Sequence, residues 1–394
     1  MKLKLKPVDE QVIVITGADS GIGLATARAA AERGARVVIN ARNEEALAAV
    51  ADELRADGAE VEWLAGDVAA DDVMMELAEL AVRVFGRIDT WVNNAGISVY
   101  GEIERVPVED ARRLFETNYW GTVNGSLAAL PHLRRRGGAL INVGSVVSGV
   151  ALPLQGHYSA SKHAVKGFTD ALRQELEHHR QPVAVTLIRP AGINTPFTEH
   201  ARNYMDVEPN LPPPVYAPHV VADAILECAE HPQREVIVGG GGKQMDVMGR
   251  TAPRLFERYG ETLGWRGQQA PRGTKRRAEA LYAPSTGGRE EGDYDGHVME
   301  SSAYTAAALH PLRSLLVVGA LGAGAAWLAR SGLLGGGARE GGSRDASIRG
   351  RFRVDRPAAR REELLINVDA GLTTHTLTLE PETATRETTD VPLM

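Results

Sequence analysis

The sequence predicts an α/β protein in which a doubly wound parallel sheet carries helices on both faces over residues 11–240. Two observations lead to this fold class. Apolar runs of strand length alternate with helical segments through that range, up to a last strand at 235–238, and this order builds a parallel sheet. The first run, 11–16, leads at once into a glycine-rich turn and an alanine-rich helical segment, 24–33.

The glycine-rich turn reads TGADSGIG over residues 16–23. Glycines let a backbone approach a pyrophosphate closely, and the N-terminus of the next helix offers unpaired N–H groups to it. A strand, a glycine turn and a helix in this order therefore predict a dinucleotide site. The simpler alternative is a glycine turn without a ligand.

The run YSASK, residues 158–162, is the second pattern suited to chemistry. It places Tyr158 and Lys162 one turn apart on the same face of a helix. A free phenol has a pKa of about 10, and a neighbouring ammonium group stabilises the phenolate, so the pair can act as an acid-base catalyst. Alone, this spacing also occurs in ordinary helices, where the side chains are solvated or cap the helix.

Further motifs lie between these two patterns. NNAG (93–96) follows a strand-like run, Asn118 lies in TNYWG, and Ser145 follows another apolar strand. With the glycine turn spaced T-G-x-x-x-G-x-G, the chain resembles the classical short-chain dehydrogenase/reductase family over residues 12–240. The resemblance implies a Rossmann-type fold and a nicotinamide-dependent oxidoreductase, such as a carbonyl reductase, that interconverts a secondary alcohol and a carbonyl.

The resemblance also implies a catalytic tetrad of Asn118, Ser145, Tyr158 and Lys162. Ser145 would donate a hydrogen bond to the substrate oxygen, on which negative charge develops, and Tyr158 would deliver the proton. Lys162 would lower the pKa of the phenol and bind the nicotinamide ribose, while Asn118 would anchor a proton-relaying water. Taken singly, Asn118 also suits a helix kink and Ser145 a strand-end turn.

The cofactor contacts implied by the resemblance lie in the glycine turn, at the ends of later strands and on the helix of Tyr158. They are Thr16, Gly17, Ser20, Gly21, Ile22, Gly23, Arg42, Asp67, Val68, Asn94, Ala95, Gly96, Tyr158, Lys162, Pro190, Ile193 and Thr195. Asp67 would contact the adenine, or alternatively cap a helix predicted at 71–85. The family's usual Pro-Gly after the sixth strand is here Pro190-Ala191-Gly192, which displaces the glycine by one position.

The end of the second strand favours NADP(H) over NAD(H). An acidic residue there binds the ribose 2′-hydroxyl of NAD, whereas an arginine accepts a 2′-phosphate. Ala41 stands where NAD-preferring relatives usually carry aspartate, and Arg42 follows it. Asp19, inside the glycine turn, argues the other way because its carboxylate would repel a 2′-phosphate.

The proline-rich residues 197–218 are predicted to form a substrate lid, because such loops commonly set specificity. Aromatic and aliphatic side chains in and near the lid favour an apolar alcohol or ketone as the small-molecule substrate. The candidate wall residues are Phe197, Tyr204, Met205, Leu211, Val215, Tyr216, Tyr100 and residues 152–154. Simple packing is the alternative for each.

Residues 1–264 are predicted to form the Rossmann domain, followed by a C-terminal extension of low order. Residues 265–311 are polar, as in a linker. Residues 312–334 are predicted to form an apolar helix that is short for a membrane span, so membrane contact and an alanine- and glycine-rich surface helix are both open. Residues 335–394 are predicted to be a mostly disordered tail.

Composition favours a cytoplasmic enzyme, membrane-associated if residues 312–334 act as an anchor. The net charge of −7 disfavours nucleic acid as a partner, and a single cysteine, Cys228, rules out an internal disulfide. The 11 histidines show no metal-ligand spacing, and the lysine-containing N-terminus has no apolar signal sequence. The resemblance implies a homodimer or homotetramer.

Two other functions remain open at this stage. The first is a catalytically silent, cofactor-binding or membrane-tethered protein, although such a protein has no need of all four tetrad groups. The second is an epimerase or dehydratase of the extended branch. That branch usually carries T-G-x-x-G-x-x-G, which Gly17, Gly21 and Gly23 do not match.

Overall fold

The computed structural model describes residues 3–273, 279–284 and 286–310. The predicted apolar helix at 312–334 and the predicted tail at 335–394 lie outside these residues. Within the described residues, no helix combines the length and the apolar character needed to cross a membrane. The predicted domain boundary at 264 stays a prediction.

A seven-stranded, fully parallel sheet forms the centre of the fold, as predicted. Its strands in chain order are β1 (Val12–Thr16), β2 (Arg36–Ala41), β3 (Val61–Ala65), β4 (Thr90–Asn93), β5 (Gly138–Val143), β6 (Val183–Pro190) and β7 (Glu235–Val238). Their spatial order is β7-β6-β5-β4-β1-β2-β3. The order reverses beside β1, and ligands of open parallel sheets bind at such a switch point.

Helices cover both faces of the sheet. They are α1 (Gly21–Glu32), α2 (Glu44–Ala56), α3 (Asp71–Phe85), α4 (Val108–Phe115), α5 (Gly121–Arg136), α6 (Gly156–His178), α7 (Pro218–Glu230), α8 (Gly240–Thr251) and α9 (Pro253–Tyr259). A π-helical turn, Glu116–Trp120, joins α4 to α5, and another, Gly260–Gly264, follows α9. A last short helix spans Ala303–Leu309.

Short strands outside the main sheet shape the lid region. Val99–Tyr100 pairs with Arg202–Asn203, and Val215–Tyr216 lies between Gly192–Ile193 and Val298–Met299. Val207–Pro209 pairs with Gln269–Gly273. Residues from beyond position 264 are therefore hydrogen-bonded to the lid.

The alternation of side chains along β1 builds a separate core on each face of the sheet. Ile13 and Ile15 pack with residues of α1, α2 and α7, whereas Val12 and Val14 pack with residues of α3, α5 and α6. All four are fully buried. A strand that is buried on both faces appears in the sequence as a continuous apolar run, which is why these strands could be predicted from the sequence.

A buried amide network ties the middle of the sheet to α5 and α6. The Asn93 amide donates to Asn142 Oδ1 at 2.8 Å and to Ser126 Oγ at 3.0 Å, and Asn142 donates to Thr169 Oγ1 at 2.9 Å. The helix α5 approaches this network at Gly125, where a Cβ atom would overlap Asn93 Oδ1.

Gly125→Ala is expected to lower the free energy of unfolding by about 1–3 kcal/mol, because the added methyl group would displace buried hydrogen-bonding partners. Gly167→Ala is the matched control on α6. No atom lies within 4 Å of a Cβ atom built at Gly167, so this change should stabilise the protein by roughly 0.5–1 kcal/mol. Urea unfolding of both variants measures the difference, and equal effects would contradict the close-packing argument.

Candidate active site

Tyr158 and Ser145 meet at the wall of a cavity beside the carboxyl ends of the sheet strands. Tyr158 lies in the first turn of α6, and Ser145 caps a short 3-10 turn after β5. The Ser145 hydroxyl is close enough to the phenol to influence its pKa. Both residues are buried, yet both line the cavity, so the two hydroxyl groups are accessible to a bound molecule.

Lys162 lies behind Tyr158, one turn further along α6. Its Nζ atom donates to the Val143 carbonyl at the end of β5 at 2.9 Å and lies 5.9 Å from the centroid of the Tyr158 ring. A Cβ atom on Gly96 would stand 3.4 Å from this Nζ and 3.4 Å from Asn118 Oδ1. Glycine at position 96 therefore leaves space between two tetrad members.

Asn118 occupies the π-helical turn between α4 and α5, an irregularity that is frequent at functional sites. Its side chain exchanges two hydrogen bonds with the backbone of Ile97, at 2.9 and 3.0 Å, and donates to Ser161 Oγ at 3.0 Å. Asn118 is fully buried and does not line the cavity. It fixes the loop after β4 against α6, and its water-anchoring role stays a prediction.

Burial shifts the pKa values of Tyr158 and Lys162. It raises the pKa of Tyr158 to about 12, although the neighbouring Ser145 hydroxyl acts in the opposite direction. Burial also lowers the pKa of Lys162 to about 8. Desolvation of the phenolate is thus the largest influence on Tyr158 in this structure, and the role of Lys162 in lowering the phenol pKa stays a prediction.

The glycine turn packs directly against the loop after β4. Gly17 has φ of +64°, and a Cβ atom on it would stand 2.8 Å from the Ala95 Cα atom. Thr16 Oγ1 accepts the backbone N–H groups of Asn94 and Ala95 at 3.1 and 3.2 Å. Neither Thr16 nor Gly23 lines the cavity. These two predicted contact residues shape the wall without forming its surface.

The cavity encloses about 260 Å³. Except for Thr16 and Gly23, the structure brings every predicted cofactor contact to its wall. These are Gly17, Ser20, Gly21, Ile22, Arg42, Asp67, Val68, Asn94, Ala95, Gly96, Tyr158, Lys162, Pro190, Ile193 and Thr195. The wall is continuous from Asp67 past the glycine turn to Tyr158.

Asp67 is not a helix cap, so that alternative is wrong. The N-cap of α3 is Ala70. The Asp67 carboxylate accepts the Ala69 N–H at 3.0 Å and forms an ion pair with Arg113. The side chain is thereby held at the cavity wall.

Only part of the predicted apolar wall faces the cavity. Phe197, Leu211, Tyr100 and Leu152 line it, and the Phe197 ring lies 5.5 Å from the Tyr158 ring, centroid to centroid. Tyr204 and Met205 do not line it, nor do Val215, Tyr216 or Leu154. The Tyr204 hydroxyl instead donates to the Asp110 carboxylate, which turns the ring away from the cavity.

A buried arginine, which the sequence reasoning missed, holds the backbone at Ser145. Arg189 is fully buried, and its guanidinium donates to the carbonyls of Ser145 and Val146 at 3.2 and 2.9 Å. Asp246 of α8 accepts from the same group at 2.7 Å. The sequence signal that could have found it is the single charged residue, Arg189, inside an apolar strand, since a buried charge normally has a charged partner.

Comparison with known proteins points to the same family as the sequence motifs. The family model for short chain dehydrogenases matches residues 11–206. The uncharacterized oxidoreductase YxnA of Bacillus subtilis is 46% identical over 329 residues, which is 82% of this chain and 92% of the relative. The chain belongs to the short-chain dehydrogenase/reductase family.

Other members of the family are more distant. The putative oxidoreductase SadH of Mycobacterium tuberculosis is 34% identical over 260 residues, covering 63% of this chain and 93% of the relative. A short-chain dehydrogenase/reductase from Burkholderia phymatum, solved with NAD, superposes with a TM-score of 0.57 at 26% identity, over 65% of this chain and 96% of that one.

An alcohol dehydrogenase from Thermococcus sibiricus, complexed with 5-hydroxy-NADP, has a TM-score of 0.51 at 27% identity, over 58% of this chain and 95% of that one. The similarity to YxnA covers a larger share of the chain than residues 1–264 make up, so it continues into the extension. The C-terminal extension is therefore not peculiar to this member of the family.

Lys162→Met is expected to stabilise the protein at pH 7 by about 1–3 kcal/mol, because it removes a buried ammonium group. The folded pKa is about 8 and the reference value 10.5. The folded state therefore binds fewer protons than the unfolded state between these values. The energetic penalty is complete below pH 8, shrinks as the pH rises and is gone above pH 10.5, so the variant's advantage should disappear over this window.

Urea unfolding at pH 7 and pH 10 measures this advantage. Lys166→Met on the same helix is the control, because Lys166 is paired with Asp170 near the surface. A Lys162→Met variant less stable than the wild type at both pH values would refute the buried-charge penalty.

Proposed function

We propose that this protein is a nicotinamide-dependent oxidoreductase that interconverts a secondary alcohol and a carbonyl compound. The observation that carries the proposal is the placement of Ser145 and Tyr158 together on the cavity wall, with Lys162 Nζ 5.9 Å from the centroid of the Tyr158 ring. A solved relative bound to NAD and another bound to an NADP derivative support the class of cofactor.

The described residues fit a dinucleotide. Gly17 and Gly21 both have positive φ at the cavity wall, where a side chain would narrow the approach. The helix α1 begins at Gly21, so its first N–H groups have no acceptor within the helix. The Gly21 N–H donates to the Arg289 carbonyl, and the N–H groups of Ile22 and Gly23 are the ones that can bind phosphate oxygens. Lys162, Ile193 and Thr195 would border the nicotinamide end.

The bound cofactor would supply or accept the hydride, and the protein would manage the proton. In reduction, the Ser145 hydroxyl donates a hydrogen bond to the substrate oxygen, and Tyr158 transfers its phenolic proton to that oxygen. A phenol whose pKa is about 12 is protonated at neutral pH and ready to donate. The phenolate that forms is stabilised by the Lys162 ammonium, and in the oxidative direction each role reverses.

The cavity wall next to Tyr158 favours an apolar substrate. Phe197, Leu152, Leu211 and Met245 line this part of the cavity. Burial of apolar groups against such a wall contributes about 25 cal/mol per Å². An alcohol or ketone with a hydrocarbon body is therefore our proposed substrate class.

Assembly and location also remain proposals. Val108, Trp120 and Leu127 on α4, the π-helical turn and α5 are exposed apolar residues, which suits the homodimer or homotetramer predicted from the sequence. A cytoplasmic location is likewise proposed from the sequence, with membrane association only if residues 312–334 act as an anchor.

Tyr158→Phe is expected to lower kcat for carbonyl reduction by about 10²–10⁴-fold, because it removes the proton donor but keeps the ring. Turnover of NADPH and NADH with a panel of ketones and aldehydes measures the effect. Tyr119→Phe is the control, since Tyr119 lies beside Asn118 but not on the cavity wall. Undiminished turnover in Tyr158→Phe would overturn the mechanism.

NADP(H) is proposed as the preferred cofactor because Arg42 lies on the cavity wall and no carboxylate ends β2. Arg42→Ala should lower kcat/KM for NADPH by about tenfold or more, through loss of a charge-assisted hydrogen bond, and change the value for NADH much less. Steady-state kinetics with both cofactors test this. A wild-type enzyme with the higher kcat/KM for NADH would contradict the preference.

A further inference from the structure

Part of the C-terminal extension crosses the mouth of the cofactor cavity. We call residues 279–284 and 286–293 the strap. Ala280 and Pro284 of the strap line the cavity together with the glycine turn and Lys162. Ala280 and Leu281 are 5% and 1% exposed and belong to the same apolar cluster as Tyr158. The strap is therefore built into the domain surface.

At one end, two arginines of the domain hold backbone carbonyls of the strap. Arg42 donates to the carbonyls of Ala280, Leu281 and Ala283, and Arg113 donates to that of Leu281 at 3.0 Å. Both arginines lie close to Asp67. This is the end of the cavity assigned to the adenosine part of the cofactor.

At the other end, the strap is hydrogen-bonded to the glycine turn itself. The Gly288 N–H donates to the Asp19 carbonyl at 2.7 Å, and the Gly21 N–H donates to the Arg289 carbonyl at 2.9 Å. Glu290 forms an ion pair with Arg28 of α1 at 2.6 Å. The strap thus spans the cavity from the adenosine end to the expected pyrophosphate site.

The strap also contacts the predicted substrate lid. The Glu199 carboxylate accepts from the Arg289 guanidinium at 2.7 Å and from the Asp293 N–H at 2.9 Å. The Ala280 N–H donates to the His200 carbonyl at 2.8 Å. One segment therefore joins the glycine turn to the lid.

We propose that the strap is a wall of the cofactor site that encloses the bound dinucleotide, so that cofactor exchange requires the strap to open. The inference rests on the proposed function for the identity of the ligand. With the strap in place the cavity keeps about 260 Å³, and its wall still includes Asp67, the glycine turn and Tyr158. Contacts made at both ends of a ligand site slow dissociation more than association.

Two variants of the full chain loosen the strap at residues that do not themselves line the cavity. Gly287→Val introduces a side chain where even a Cβ atom would stand 2.5 Å from Ala46 Cβ. The double variant Arg289→Ala/Glu290→Ala removes the ion pairs to Glu199 and Arg28. The control, Arg33→Ala/Asp223→Ala, removes an ion pair between α1 and α7, whose residues do not line the cavity.

The measurement is the dissociation rate of NADPH and of NADH from the binary complex, followed by stopped-flow fluorescence as excess oxidised cofactor displaces the reduced form. Both loosened variants are expected to release cofactor about tenfold faster, whereas the control keeps the wild-type rate. Faster release with weaker equilibrium binding supports the strap as an enclosing wall.

Three results would overturn the inference in distinguishable ways. Unchanged release in both loosened variants means that the strap does not enclose the cofactor. Tighter binding in these variants means that the strap competes with the cofactor for the cavity. A wild-type chain that binds neither cofactor removes the proposed function as well, whereas the first two results leave that function standing.

Discussion

The close approach of the glycine turn to the loop after β4 is the constraint on which the site depends. A Cβ atom on Gly17 would press on the Ala95 backbone, and one on Gly23 would overlap the Gly17 carbonyl. Thr16 and Asn94 then hydrogen-bond across the same contact. Two strand ends and a helix N-terminus therefore meet closely at one side of the cavity, and Tyr158 and Lys162 of α6 line the same cavity.

The burial of Tyr158 and Lys162, the proposed catalytic pair, opposes stability. Tyr158 and Lys162 are both buried, and burial opposes the charged form of each. Neighbouring groups hold these residues in place. The Val143 carbonyl accepts a hydrogen bond from the Lys162 ammonium. Arg189, which is paired with Asp246, donates to the Ser145 carbonyl and fixes the backbone there. A residue placed for chemistry is often not the one that folding alone would select.

The strands and most of the predicted site residues could be found from the sequence because apolar runs and short motifs are local features of the chain. Continuous apolar runs mark strands buried on both faces, and helix α3 begins and ends where its pattern predicts, at Asp71 and Phe85. The spaced motifs predicted a tetrad, of which Ser145, Tyr158 and Lys162 line the cavity. Arg189 pairs with a residue 57 positions later, and the strap is a polar segment whose contacts exist only after folding. The raised pKa of Tyr158 could not be predicted from the sequence for the same reason, since burial is a property of the whole fold.

Arg42 gives one position two tasks that cannot be separated by substitution. Arg42 is the residue proposed here to bind the 2′-phosphate of the cofactor, and its guanidinium also donates to three carbonyls of the strap. Any substitution of Arg42 would therefore remove these three hydrogen bonds as well. If both proposals hold, cofactor preference and residence time cannot be changed independently at this position, and engineering one without the other requires a new anchor for residues 280–283.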